Sequence, residues 1–311
     1  MGVSLAISTQ AQLRKSVARP RILVRVLRRS LILVILGLVL NTKGGSPTDL
    51  FQLRLPGVLQ RFGLTYLVKV SSVSTPMTWC VQVVAGLEAV LLPRQYPDPT
   101  TRGPLAPLLD LTSSAWQWLA ALLCLALHTS LTLQLPVPNC PTGYLGPGGL
   151  ADNASHPNCT GGAARWIDVS VFGPRHIYQR PTSHAVYGGV SHDPEGLLGV
   201  LTSIFLCWLG VAAGKILLVH QDWRARVARW LVWAAVCGLL AGSLSSFSKN
   251  QGVLPINKNL WSVSFTLATA SMAFLLLTCM FLLIDGEDIY ELKQVFSREI
   301  SLCINCYTFI A

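Results

Sequence analysis

The sequence predicts an all-α fold, a multispan transmembrane helical bundle of about six spans, within one, joined by one long luminal loop. Three observations carry that expectation. The chain of 311 residues is 51% hydrophobic and only 12% charged, with a mean hydropathy of +0.50, a composition far from that of soluble domains. Apolar runs occupy 116–135, 196–219, 230–247 and 261–284, each 18 to 24 residues long and able to cross a hydrocarbon core of about 30 Å. The charges are skewed, with 24 Lys and Arg against 14 Asp and Glu, and the first acidic residue is Asp49. This composition excludes collagen, coiled coil and disordered tail. The net charge of +10 would suggest nucleic acid in a soluble protein. Here the cations flank apolar runs, where anchoring and orientation explain them, so no nucleic-acid partner is expected.

Taken in order, residues 1–29 form a basic cytoplasmic-side segment without the apolar central region of a cleavable signal peptide. The first span is short if confined to 30–40, because 11 residues at about 1.5 Å each cover half the membrane. Extending it back to Ile22 supplies the length and places Arg25, Arg28 and Arg29 in its first turns, with their heads snorkelling or facing a polar cavity. Residues 58–92 hold a second span, interrupted at Lys69, Ser71, Ser72, Ser74, Thr75 and Pro76; a long broken helix or a re-entrant pair also fits. The first membrane region thus covers 30–135, a glycosylated luminal loop 136–195, the last three spans 196–284, and a polar tail 285–311.

Orientation follows from charge. Arg14, Lys15, Arg19, Arg21, Arg25, Arg28 and Arg29, together with Arg224, Arg226 and Arg229, belong on the cytoplasmic side, and six spans satisfy both groups. The loop 136–195 then lies on the far side. It carries two glycosylation acceptors, Asn153-Ala154-Ser155 and Asn158-Cys159-Thr160, which agree with that placement.

Of nine cysteines, Cys124, Cys207, Cys237 and Cys279 fall within spans as small apolar packing residues. Cys140 and Cys159 share the loop, and a disulfide between them would close a glycine-rich ring, contributing on the order of 3 kcal/mol. Cys303 and Cys306 form a lone CxxC, which without a second pair predicts no metal. The glycine run lacks the Lys-Ser/Thr of a phosphate loop and reads as a tight turn. His156, His176, His184 and His192 lie in the loop, either as solvated side chains or as groups that gain charge in an acidic lumen. His128 sits inside a span, where an imidazole is either a functional group or a buried residue bonded to a neighbouring helix.

Two segments gather charge, amide and aromatic groups at luminal span ends: Arg54-Leu55-Pro56-Gly57-Val58-Leu59-Gln60-Arg61 and Pro255-Ile256-Asn257-Lys258-Asn259-Leu260-Trp261. Guanidinium groups bind phosphate or carboxylate with two parallel bonds, and asparagine amides orient hydroxyls. The pair could line an entrance for an anionic or sugar-like ligand, or anchor the interface. Ser-His-Asp, HExxH and GxSxG arrangements are absent, so spacing alone names no reaction.

The segments 55–61, 136–149, 157–164, 193–196 and 257–261 together resemble the heparan-α-glucosaminide N-acetyltransferase family over about residues 1–284. The resemblance implies a multi-pass lysosomal membrane enzyme that takes acetyl-CoA as co-substrate and acetylates the terminal glucosamine of heparan sulfate in the lumen. Heparan sulfate ends and membrane lipid are the implied partners, with a homo-oligomer as a further possibility. By the same resemblance Arg29, Arg54, Gln60 and Arg61 are candidate coenzyme contacts or structural pairs, and Asn257, Lys258, Asn259 and Trp261 candidate contacts to glucosamine or pantetheine. The family histidine precedes the matched region, so no catalytic residue is assigned. Residues 1–7 resemble the end of an earlier span, residues 69–80 read as an insertion, and 285–311 depart from the family. These departures fit a chain truncated at both ends and leave a second expectation, a non-catalytic fragment that associates with the full-length enzyme.

Overall fold

The computed structural model describes residues 1–15, 19–42, 53–71, 115–248 and 252–285. Among these residues every regular element is helical, as composition predicts. The helices are α1 (Gly2–Arg14), α2 (Arg19–Thr42), α3 (Val58–Ser71), α4 (Ala115–Gln134), α5 (Gly162–Phe172), α6 (Thr182–Tyr187), α7 (Leu198–Val219), α8 (Trp223–Leu244) and α9 (Val263–Asp285), with one 3₁₀ turn at Ala151–Ala154. The tail 286–311 with its Cys303 and Cys306, most of the 69–80 insertion and the second half of the 58–92 region lie outside the described residues.

α7, α8 and α9 are each long and apolar enough to cross a membrane, and α4 is a shorter apolar helix. α2 runs for 24 residues, the extension its short apolar run requires, so Arg29 lies near the middle of the helix rather than at its start. α8 begins seven residues before the apolar run at 230 because Asp222 caps it, accepting from the Arg224 N–H at 3.2 Å, which satisfies one orphan donor of the first turn.

α7 is the hub and touches α1, α3, α4, α5, α8 and α9. It reads as one continuous apolar face, and Phe205, Leu209, Val211, Ala213 and Ile216 are buried along it. Small residues permit the closest approach: Gly210 and Gly214, one turn apart, receive the backbone of Gly2 and the side chain of Ala6 from α1, a small-residue seam of the kind that packs helices in lipid. Aromatic rings tie α4 into the core. The indoles of Trp118 and Trp233 stack at 5.1 Å and 4°, and Trp118 meets Trp208 edge to face at 5.9 Å. Buried Trp230 donates from Nε1 to the Ala213 carbonyl at 3.2 Å, and Ser271 donates to Ala234 at 2.7 Å, so polar atoms between helices find partners.

The connection between α4 and α7 folds into a cap over one end of the bundle. Cys140 and Cys159 are joined at an S–S distance of 2.04 Å. Asn153 and Asn158 are exposed on this cap. Gly161 adopts φ 77 with its missing side chain facing the His192 ring, a position that only glycine fills at no steric cost.

Candidate functional site

The site forms where the cap meets the ends of α2, α3 and α7. Pro56 and Gly57 lead into α3 and are buried, and the first turn of α3 then points Gln60 and Arg61 inward, at 6% and 2% exposure. Arg61 donates from Nη2 to the Pro194 carbonyl at 2.6 Å, and its guanidinium lies 4.2 Å over the Trp261 ring. Gly199 of α7 gives it room, since a side chain there would press on the guanidinium. Arg54 reaches the same cap segment. Its Nη2 donates to Asp193 Oδ1 at 2.7 Å and Glu195 Oε2 at 2.5 Å, its Nε to Asp193 Oδ2 at 2.8 Å, and it rests 4.5 Å over the Tyr178 ring. Asp193 also accepts from the backbone N–H groups of Tyr178 and Glu195, both at 3.0 Å. Four donated bonds thus converge on this buried carboxylate.

Beside this cluster lies a cavity of about 220 Å³, lined by Val34 and Leu38 of α2, Leu55, Pro56, Gly57, Gln60, Arg61 and Leu64, then Phe172, Glu195, Leu197 and Val200. Its wall is almost wholly apolar, with Gln60, Arg61 and Glu195 among the residues that border it. The Gln60 amide oxygen and nitrogen and the Arg61 Nε are buried without a hydrogen-bond partner among the described residues. Unmatched groups of that kind cost about 1–3 kcal/mol each, and both side chains border the cavity. The cavity is below the roughly 300 Å³ at which sites for whole drug-sized ligands begin. Its volume suits a small group rather than a whole drug-sized molecule.

Asp168 of α5 stands directly behind. Its Oδ1 accepts from the Leu197 N–H at 2.8 Å, while Oδ2 faces Gly196 and has no hydrogen-bond partner among the described residues. Burial pushes its carboxyl up to about 7, Asp193 adds to the rise, and the Leu197 N–H and Arg61 oppose it. His192, also buried, is held below its ordinary value by desolvation and bonds through Nε2 to the Asn259 carbonyl at 3.1 Å.

The sequence-derived candidates thus separate. Arg54, Gln60 and Arg61 converge, and Trp261 joins them through Arg61. Asn257 and Asn259 organise their own turn, with the Asn257 carboxamide accepting from the Asn259 N–H at 2.9 Å and its Nδ2 donating to Leu145 at 3.4 Å. Lys258 is exposed. Arg29 donates to the Tyr66 hydroxyl at 3.3 Å, next to a bond from Ser30 to the Gly63 carbonyl at 2.7 Å, so it serves the α2–α3 crossing below the cavity. His128 is buried at 2% exposure and lies outside the cavity lining. Asp168, Tyr178, Asp193 and Glu195 were not singled out as site residues by sequence. The available signal was that the loop has few acids while two arginines at a membrane edge require partners. Among the described residues no group of three or more His, Cys, Asp or Glu is arranged to hold a metal ion.

No protein-family model matches the chain. Two curated proteins do, the heparan-alpha-glucosaminide N-acetyltransferases of Mus musculus and Homo sapiens, each 38% identical over 93% of this chain and 42% of their own length. The chain therefore spans about two fifths of the curated relatives it matches. Along nearly all of its own length, this helical membrane chain is related by sequence to the heparan-alpha-glucosaminide N-acetyltransferases.

Proposed function

We propose that the chain carries part of an acetyl-transfer site of the lysosomal membrane, at which acetyl passes from acetyl-CoA to the terminal glucosamine amine of heparan sulfate. The observation that supports this reading is the cavity in which the Gln60 amide and the Arg61 Nε are buried without partners beside Glu195. In that reaction the amine nitrogen attacks the thioester carbon, the carbon–sulfur bond breaks, the coenzyme leaves as thiolate, and the proton lost by the amine passes through a base to that thiolate. Charge develops on the carbonyl oxygen, where a fixed donor contributes most. Arg61, held in place by Pro194 and Trp261, is the donor this reading assigns. The Gln60 amide orients the sugar or the acyl terminus. Glu195 is the carboxylate on the lining, and it is already engaged by Arg54.

That last point favours a second reading. The described lining has no imidazole, as a non-catalytic membrane partner of a complete enzyme would not need one. One assay separates the two: transfer of labelled acetyl from acetyl-CoA to glucosamine by membranes containing only this chain, against membranes with an inactive multispan protein. Acetylglucosamine above the control supports the enzymatic reading. None formed, with the chain folded and glycosylated, overturns it in favour of the partner reading.

A further inference from the structure

We propose that the cap segment 173–181, Gly-Pro-Arg-His-Ile-Tyr-Gln-Arg-Pro, is a docking site for the sulfate and carboxylate groups of an anionic polysaccharide, at the rim of the cavity. The inference rests on the proposed function, because it places the rest of the sugar chain beside the cavity assigned to its end. The segment is built rather than loose. The Leu55 N–H donates to the His176 carbonyl at 3.0 Å, His176 Nδ1 meets the Leu53 carbonyl at 2.9 Å, and the Tyr178 N–H donates to Asp193 at 3.0 Å. Ile177 is plugged into the cap at 2% exposure. Gln179 Nε2 folds back on the Pro174 and Ile177 carbonyls, both at 2.8 Å, which closes the segment and brings the neighbours of Pro174 and Gln179 to one place.

Those neighbours are Arg175 and Arg180. Both are exposed, and neither makes an ion pair among the described residues. The segment contains no acid, and Asp193, which accepts from its Tyr178 N–H, is engaged by Arg54 together with Glu195. Two guanidinium forks on a fixed loop therefore present unused donors in the geometry that sulfate and carboxylate accept. Half-exposed Tyr178, backed by Arg54, adds a flat apolar ring to the same segment. Position connects the patch to the site. Phe172 immediately precedes it and lines the cavity, and Leu55, bonded to His176, lines it as well.

The test is binding of a fluorescent heparin-derived tetrasaccharide to the full chain in detergent, with a desulfated tetrasaccharide and a polyglutamate peptide as competitors. We expect binding that weakens as salt rises, since exposed charges are screened, and that falls at least about tenfold in R175Q/R180Q, two charge-assisted contacts being lost. R175K/R180K keeps most of the binding, and R224Q/R226Q at the opposite end keeps all of it. Binding unchanged in R175Q/R180Q, equal loss in both the Gln and Lys pairs, or equal competition by polyglutamate or the desulfated sugar overturns the proposal. Because the readout is binding, failure of acetyl transfer to free glucosamine removes the enzymatic reading alone, and unchanged binding removes this one alone.

Discussion

Arg54 grips Asp193 with both arms of its guanidinium, Nε to Oδ2 at 2.8 Å and Nη2 to Oδ1 at 2.7 Å, across 139 residues of sequence. The Asp193 side chain is fully buried, so this pair staples the cap to the chain entering α3. Arg54→Ala leaves a buried carboxylate without its cation, a loss of about 3 kcal/mol or more. Unfolding of the detergent-solubilised chain checks this. The double variant R54A/D193N recovers a large part of the loss, because the stranded charge is gone.

Gln60→Leu separates fold from function. Removing a buried amide with no partner relieves its desolvation cost, so stability rises by about 1 kcal/mol. If the cavity holds the reacting groups, acetyl transfer in the same preparation falls at least about tenfold, the value of one hydrogen bond to a bound group. A stabilised variant with full activity would place the chemistry elsewhere.

Asp168 makes stability depend on pH in a direction opposite to most carboxylates. Its carboxyl, pushed up to about 7, lies above the unfolded value near 4. Between those limits the native chain holds a proton that the unfolded chain has released, so stability falls as pH rises through about 7. Asp168→Asn stays neutral throughout. It therefore matches the parent at about pH 4 and exceeds it by a few kcal/mol at about pH 8. His192, held low by burial, costs stability on acidification but does so in both proteins and cancels in the comparison. Melting curves of the two chains across this range provide the check.

The α1–α7 seam predicts a steric effect. Gly214→Ile places a branched side chain against Val3 and Ala6, which overpacks the contact by about 1–3 kcal/mol. Amides of residues 2–14 then exchange faster with deuterium while those of α8 and α9 do not.

The bundle was legible because lipid imposes a length and an apolar composition on each span, so α4, α7, α8 and α9 stand out as runs. α2 was legible by arithmetic, since its 11-residue apolar run cannot cross alone. The helical content of the cap was not. α5 and α6 are 11 and 6 residues long, too short for a clear period, and their stability comes from packing rather than propensity. Arg54 and Arg61 stood out because charge at a membrane edge is costly and conspicuous. Asp193 and Asp168 did not, because what makes them unusual is contact with residues far away in sequence. Asn257 also holds a turn, its side chain accepting from the Asn259 N–H.

The near-parallel stack of Trp118 on Trp233 has a spectroscopic consequence. Two indoles at 5.1 Å and 4° have coupled electronic transitions, which give the folded chain an exciton signature in circular dichroism that isolated tryptophans lack. One ring belongs to α4 and the other to α8, so the signal exists only while α4 is seated against the later helices. The chain thus carries its own optical reporter of assembly, readable without a label.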